Sequence, residues 1–129
     1  MLDEPEDRIV ASGAARTIEC AVTARGEMPA LEFLEGLEPR CQQKMLTLFQ
    51  RMADRGQIHD NRKFSHEAGS IYAFKARISK SWLRFPCFCI GRRWLLTHGF
   101  WKSSKKWPRA EMTRAERIMG EHIEHWTDN

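Results

Sequence analysis

The sequence predicts an α+β fold: a small antiparallel β-sheet with helices packed on one face, in the order β-α-α-β-β-β-α. Three observations lead there. Apolar residues recur at helical spacing in two stretches before residue 56, three alternating stretches separated by short turn signals follow residue 70, and a proline-started amphipathic stretch closes the chain.

Residues 1–15 hold four acids and one arginine and run into "ASGAA", which reads as an acidic, loosely ordered tail; residues 16–126 then form a single domain. "RTIECAVT" (16–23) alternates Ile18, Cys20 and Val22 against Thr17, Glu19 and Ala21, the pattern of a half-buried strand. Leu31, Leu34 and Leu37 recur at helical spacing between Pro29 and Gly36, giving a short helix. From Arg40 to Arg55, Cys41, Met45, Leu48, Phe49 and Met52 fall on one helical face and Gly56 supplies the stop.

"QIHDNRKFSHEAGS" (57–70) reads as a polar loop. Three strands follow, "IYAFKARI" (71–78), "WLRFPCFCI" (82–90) and "RRWLLTHGF" (92–100), with "SK" and "GR" as the turns. Pro86 interrupts the middle strand of this meander, which implies a bulge or an edge. Pro108 fits the first turn of a last helix with Met112, Ala115, Met119 and His122 along one stripe.

At 129 residues the chain is most simply one domain, and with 42% hydrophobic and 29% charged residues it reads as a soluble, cytoplasmic globular protein. No apolar run approaches a membrane span, and "MLDEPEDRIV" has neither the basic nor the apolar region of a secretory signal. Cys20, Cys41, Cys87 and Cys89 form no CxxC pair and read as reduced, mostly buried thiols.

The net charge of +4 conceals an asymmetry. From Arg62 to Arg109 there are twelve Lys or Arg against one acid, Glu67. A field of one sign favours nucleic acid, an anionic surface or an acidic protein, because dispersed surface charge normally mixes signs. In "IYAFKARI" the alternation sends Tyr72, Phe74 and Ala76 one way and Ala73, Lys75 and Arg77 the other. With helices over the aromatics, the opposite face is basic, and Arg84 and the Lys102–Lys106 cluster extend it. Trp82, Trp94, Trp101 and Trp107 interleave with these cations and could stack on unpaired bases, although a tryptophan in a small domain is commonly core.

His98 shares a face with Leu96 and Phe100, as a packed histidine does. His122 and His125 stand at i and i+3, but two imidazoles without further ligands do not make a metal site. No metal or cofactor is expected, and no phosphate-binding glycine loop, nucleophile elbow or carboxylate pair is present.

The run "FLEGL", "LFQRMADRGQI", "KF", "IYAFKAR", "WLRFPCF" and "WLLTHGFWKSSKKWPRAEMTRAER" resembles the phage-derived Gp49-like, HigB-like branch of the RelE toxin superfamily over residues 16–124. The resemblance implies a RelE-like fold and the toxin of a type II toxin-antitoxin pair, a metal-independent mRNA interferase acting on mRNA held by the ribosome. It also implies a cognate antitoxin, of helix-turn-helix type in this branch. Carried over by position, Lys75 and Arg84 match basic strand residues that stabilise the phosphate and the transition state. Lys102 matches the basic segment after the last strand, and His98 stands as a candidate acid or base. Arg77, Lys105, Lys106, Trp101 and Trp107 complete the RNA-binding set. The chain departs from the RelE pattern at Ala73, where a second lysine is usual, and no acid or tyrosine stands in the lysine-rich turn. A non-catalytic relative that binds RNA, the ribosome or a protein through its basic face is the alternative.

Overall fold

The computed structural model describes residues 8–102 and 107–126. Its elements are β1 (Ile9–Ser12), β2 (Thr17–Cys20), α1 (Pro29–Glu35), α2 (Pro39–Arg55), β3 (Phe64–Ala68), β4 (Ile71–Ile78), β5 (Ser81–Ile90), β6 (Arg93–Leu96), β7 (Phe100–Lys102) and α3 (Arg109–Trp126). The strands make one sheet in the order β1-β2-β6-β5-β4-β3, with β7 paired to β5. The α+β, RelE-like class follows directly from this arrangement.

α2 forms where the apolar spacing put it. Pro39 opens it, and Gly56, at φ +81, closes it in the left-handed region that glycine enters without penalty. Its buried face (Cys41, Met45, Leu48, Phe49, Met52, Ala53) meets Phe74, Phe85 and Cys87 of the sheet. Phe49 makes edge contacts with Phe74 and Phe85 at 5.0 and 5.5 Å. Burying a Met or Phe side chain is worth roughly 1.5–3 kcal/mol, so this face rather than helix propensity holds α2, and truncating Phe49 to alanine costs about 3–5 kcal/mol.

Five details differ from the expected meander. Ile9–Ser12, expected in the loosely ordered tail, pair antiparallel with β2 as an edge strand. Phe64–Ala68, expected in the polar loop, pair with β4, because Phe64 packs on Tyr72, Phe74 and Trp94. The sheet is mixed: β2 runs parallel to β6, and the long connection between them takes in α1, α2 and β3–β5. Helices cover both faces, α1 and α2 over one cluster and α3 over a second, built from Ile71, Phe88, Leu95, Ala115 and Ile118.

The fifth detail concerns Pro86. The strand expected over 92–100 divides into β6 and β7, which flank the same edge of β5 with Thr97–Gly99 between them. The Pro86 carbonyl accepts the Thr97 N–H at 2.9 Å. The amide hydrogen that proline lacks would face that same neighbour, so the neighbour breaks where the missing donor leaves it unpaired. β5 itself runs unbroken through Pro86, in regular register with β4, so the interruption falls on the neighbour and not on the strand that holds the proline. Gly99 belongs to the break as well, since a Cβ there would run into the Phe33 ring.

No described helix is long and apolar enough to cross a membrane. Cys20, Cys41 and Cys87 are buried free thiols, and Cys89 is exposed.

Candidate nucleic-acid interface

The strand register sets Lys75 of β4 directly opposite Arg84 of β5. The Lys75 N–H bonds to the Lys63 carbonyl on the β3 side, at 2.8 Å. Lys75 and Arg84 are therefore a pair without backbone hydrogen bonds between them, the arrangement in which opposed side chains stand closest. Like charges so placed are destabilising. Their juxtaposition needs a counter-charge, a function, or both.

The counter-charge is Glu67 of β3. Its carboxylate lies 3.8 Å from the Lys75 ammonium, a Coulombic contact longer than a hydrogen bond. The same oxygen accepts the Ser65 hydroxyl at 2.5 Å. Both members of the pair are largely buried, with side-chain exposures of 15% for Lys75 and 12% for Glu67. Burial pushes the Lys75 ammonium below its ordinary pKa, Glu67 opposes the shift, and Arg84 adds to it. Burial likewise lowers Arg84, again against the pull of Glu67.

Arg84 is only 3% exposed. Its guanidinium lies over the Trp107 ring, 5.3 Å from the centroid. Trp107 meets Phe100 edge-on at 5.2 Å, and Phe100 stacks on His98 at 5.6 Å. An aromatic chain thus links the basic pair to the segment after β7.

His98 is buried and held at both ring nitrogens, Nδ1 to Thr97 Oγ1 and Nε2 to Glu111, each at 3.0 Å. Burial and Arg114 push its pKa down to about 4 against the pull of Glu111. It is neutral near pH 7. A neutral imidazole beside a carboxylate donates Nε2–H to it, leaving Nδ1 to accept from Thr97. His98 ties α3 to the β6–β7 break and is fully buried, with both ring nitrogens occupied by protein partners.

The remaining candidates separate. Lys102 pairs with Trp82 across β7 and β5, and Arg77 pairs with Trp82 across β4 and β5, so these three share the face of Lys75 and Arg84. Trp101 pairs with Leu83 and projects to the other face, 42% exposed. Lys105 and Lys106 lie outside the described residues. His122, half of the HIEH pair, is buried under α3, where its Nδ1 accepts the Val22 N–H at 2.9 Å. Burial, with Arg8 and Arg93 nearby, lowers its pKa to about 4. Among the described residues, no three His, Cys, Asp or Glu side chains converge as metal ligands do.

Glu67 is the member of the cluster that reading the residues did not single out. The signal was present, since it is the one acid in the basic stretch, but assigning 57–70 to a loop removed the β3 register that brings it to Lys75.

Compared with known families, the chain matches the one described as "Phage derived protein Gp49-like (DUF891)" over residues 32–120. No curated protein matches it. The matched span includes α2, all of β3–β7, and every residue of the Glu67–Lys75–Arg84–Trp107 cluster.

Proposed function

Because the chain belongs to the phage-derived Gp49-like family, a RelE-like toxin branch, we propose that it is the toxin of a type II toxin-antitoxin pair and inhibits translation as a ribosome-dependent mRNA endoribonuclease. The observation that carries this reading is a carboxylate, an ammonium and a guanidinium gathered on one strand face.

RNA carries its own nucleophile. Cleavage needs the 2′-OH aligned with the adjacent phosphate, an acceptor for its proton, a donor for the leaving 5′-oxygen, and cations for the charge that grows on phosphorus. Glu67 takes the 2′-OH proton. As the 2′-oxygen bonds to phosphorus and the bond to the 5′-oxygen breaks, Lys75 protonates the leaving oxygen, and its lowered pKa makes it the better acid. Arg84 neutralises the phosphorane oxygens with its planar fork. The products are a 2′,3′-cyclic phosphate and a 5′-OH. Proton return from Glu67 to Lys75, 3.8 Å apart, resets the site.

Lys102 and Arg77 hold flanking phosphates. His98, buried and neutral, serves as a strut. No metal has a part in this scheme. The toxin class carries with it an antitoxin partner. We assign that partner to the helix-turn-helix type, with ribosome-held mRNA as the second partner.

The test is to incubate the chain with programmed ribosomes and a defined mRNA and map new 5′ ends by primer extension, beside a Lys75→Ala/Arg84→Ala variant. Ribosome-dependent cuts that the variant lacks support the assignment; equal cutting by both proteins removes it. The low exposure of Arg84 beneath Trp107 favours a second reading, a non-cleaving relative that binds RNA, the ribosome or a protein. Ribosome association with intact mRNA would decide for it.

A further inference from the structure

β3 ends at Phe64, opposite Phe74, and beyond the Lys75 N–H bond to the Lys63 carbonyl no described strand pairs with β4 from Ala76 onward on that side. A cleft of about 470 Å³ opens there between the β4 edge, α2 and the 62–63 turn. Leu48, Ala76 and Trp82 give it an apolar floor, and Lys44, Arg51, Arg62, Lys63, Lys75 and Arg77 give it six cations with no acid in the lining. Arg62 is engaged by Asp60 through a two-point contact, and Lys75 faces Glu67. Among the described residues no carboxylate forms an ion pair with Lys44, Arg51 or Arg77, and Asp60 attracts Lys63 only at longer range.

Cations gathered around one cleft with so little opposing charge repel one another in the free protein, a cost that a bound polyanion removes. The edge does not suit strand addition by a peptide, because the Lys44 ammonium already donates to the Arg77 carbonyl at 3.1 Å. What the cleft offers is charge at several points beside the half-buried ring of Trp82. It also shares Lys75 with the Glu67–Lys75–Arg84 cluster, so a chain lying in one continues into the other.

We propose that this cleft binds the sugar-phosphate backbone of single-stranded RNA flanking the scissile bond, with Lys44, Arg51, Lys63 and Arg77 on successive phosphates and a base stacked against Trp82. The proposal rests on the RNA-directed reading above and adds a track on α2 that the strand-borne cluster does not contain.

The probe is a fluorescent, fully 2′-O-methylated RNA strand about a dozen nucleotides long, which lacks the nucleophile and reports binding alone. The expected result is that Lys44→Ala/Arg51→Ala/Lys63→Ala weakens binding about tenfold or more. The slope of log affinity against log salt should flatten by about 0.7 for each phosphate that the variant no longer neutralises. The charge-keeping variant Lys44→Arg/Arg51→Lys/Lys63→Arg retains most of the affinity, which separates lost charge from lost fold. Removing three cations elsewhere, Arg25, Arg40 and Arg117, leaves affinity within about twofold, which separates the cleft from net charge.

Unchanged affinity in the alanine triple variant overturns the proposal, and so does capture of an oligoglutamate peptide in preference to the RNA. Cleavage of ribosome-held mRNA is scored in parallel. Affinity lost in the triple variant, with no cleavage by any protein, keeps the cleft and removes the nuclease; cleavage with affinity unchanged does the reverse.

Discussion

The Glu67 carboxylate stands 3.8 Å from the Lys75 ammonium, across β3 and β4, with both side chains largely out of water. In the proposed chemistry one group accepts a proton and the other gives one. Glu67→Gln keeps the shape and removes the acceptor. Single-turnover cleavage on programmed ribosomes should slow by about 10²–10⁴-fold, the usual yield of a positioned base, while RNA affinity holds or improves. Unaltered cleavage would reduce Glu67 to a counter-charge.

Arg84 depends on its planarity as well as its charge. Arg84→Lys preserves the charge but gives up the guanidinium face over Trp107 and, in the proposed chemistry, the two-pronged hold on phosphate. Growth arrest on expression should be relieved nearly as fully as by Arg84→Ala. Full toxicity of the lysine variant would show that charge alone suffices.

His98 and His122 set a direction for stability against pH. Both are held near pKa 4 in the folded chain, against an ordinary value of 6.5. Between these values the unfolded chain binds the extra protons, so stability is whole above about pH 6.5 and drains away as pH falls toward 4. Chemical denaturation at pH 7 and pH 5 should differ by roughly 2 kcal/mol for each histidine. His122→Gln should remove about half of that difference whatever it does to the value at pH 7; an unchanged pH dependence would mean that His122 titrates normally.

Gly99 is needed for close approach. A Cβ there meets the Phe33 ring, on the stretch that carries His98 between β6 and β7. Gly99→Ala should cost about 1–3 kcal/mol in urea unfolding, the usual range for overpacking. A paired Phe33→Leu change should recover part of the loss.

Local periodicity made much of this legible. The α2 face, β4 and the turn before β5 repeat in the sequence what the structure contains, because spacing and turn residues act within one element. The cation face was readable from the alternation of Lys75 and Arg77 against Phe74 and Ala76. What escaped depends on distant partners. β3 is polar along most of its length and is a strand because Phe64 finds Tyr72, Phe74 and Trp94. β1 is defined by β2, and the parallel β2–β6 pair is invisible to any local window. Glu67 escaped for the same reason as β3, and the α2 cations Lys44 and Arg51 read as an ordinary solvated helix face until the β4 edge stood beside them.

The parallel pair has a consequence in time. Thr17 pairs with Arg93, and Cys20 with Leu96, so the first hairpin has no sheet to join until β6 has been synthesised. At about 5–20 residues per second, β1 and β2 wait on the order of 4 to 15 seconds during translation. Contacts so distant in sequence also slow closure of the sheet. Trp107, which caps Arg84, is made later still. The basic face is thus assembled only after residue 107 has been made, and a chain stalled before that point carries Lys75 and Arg84 without the ring that covers the guanidinium.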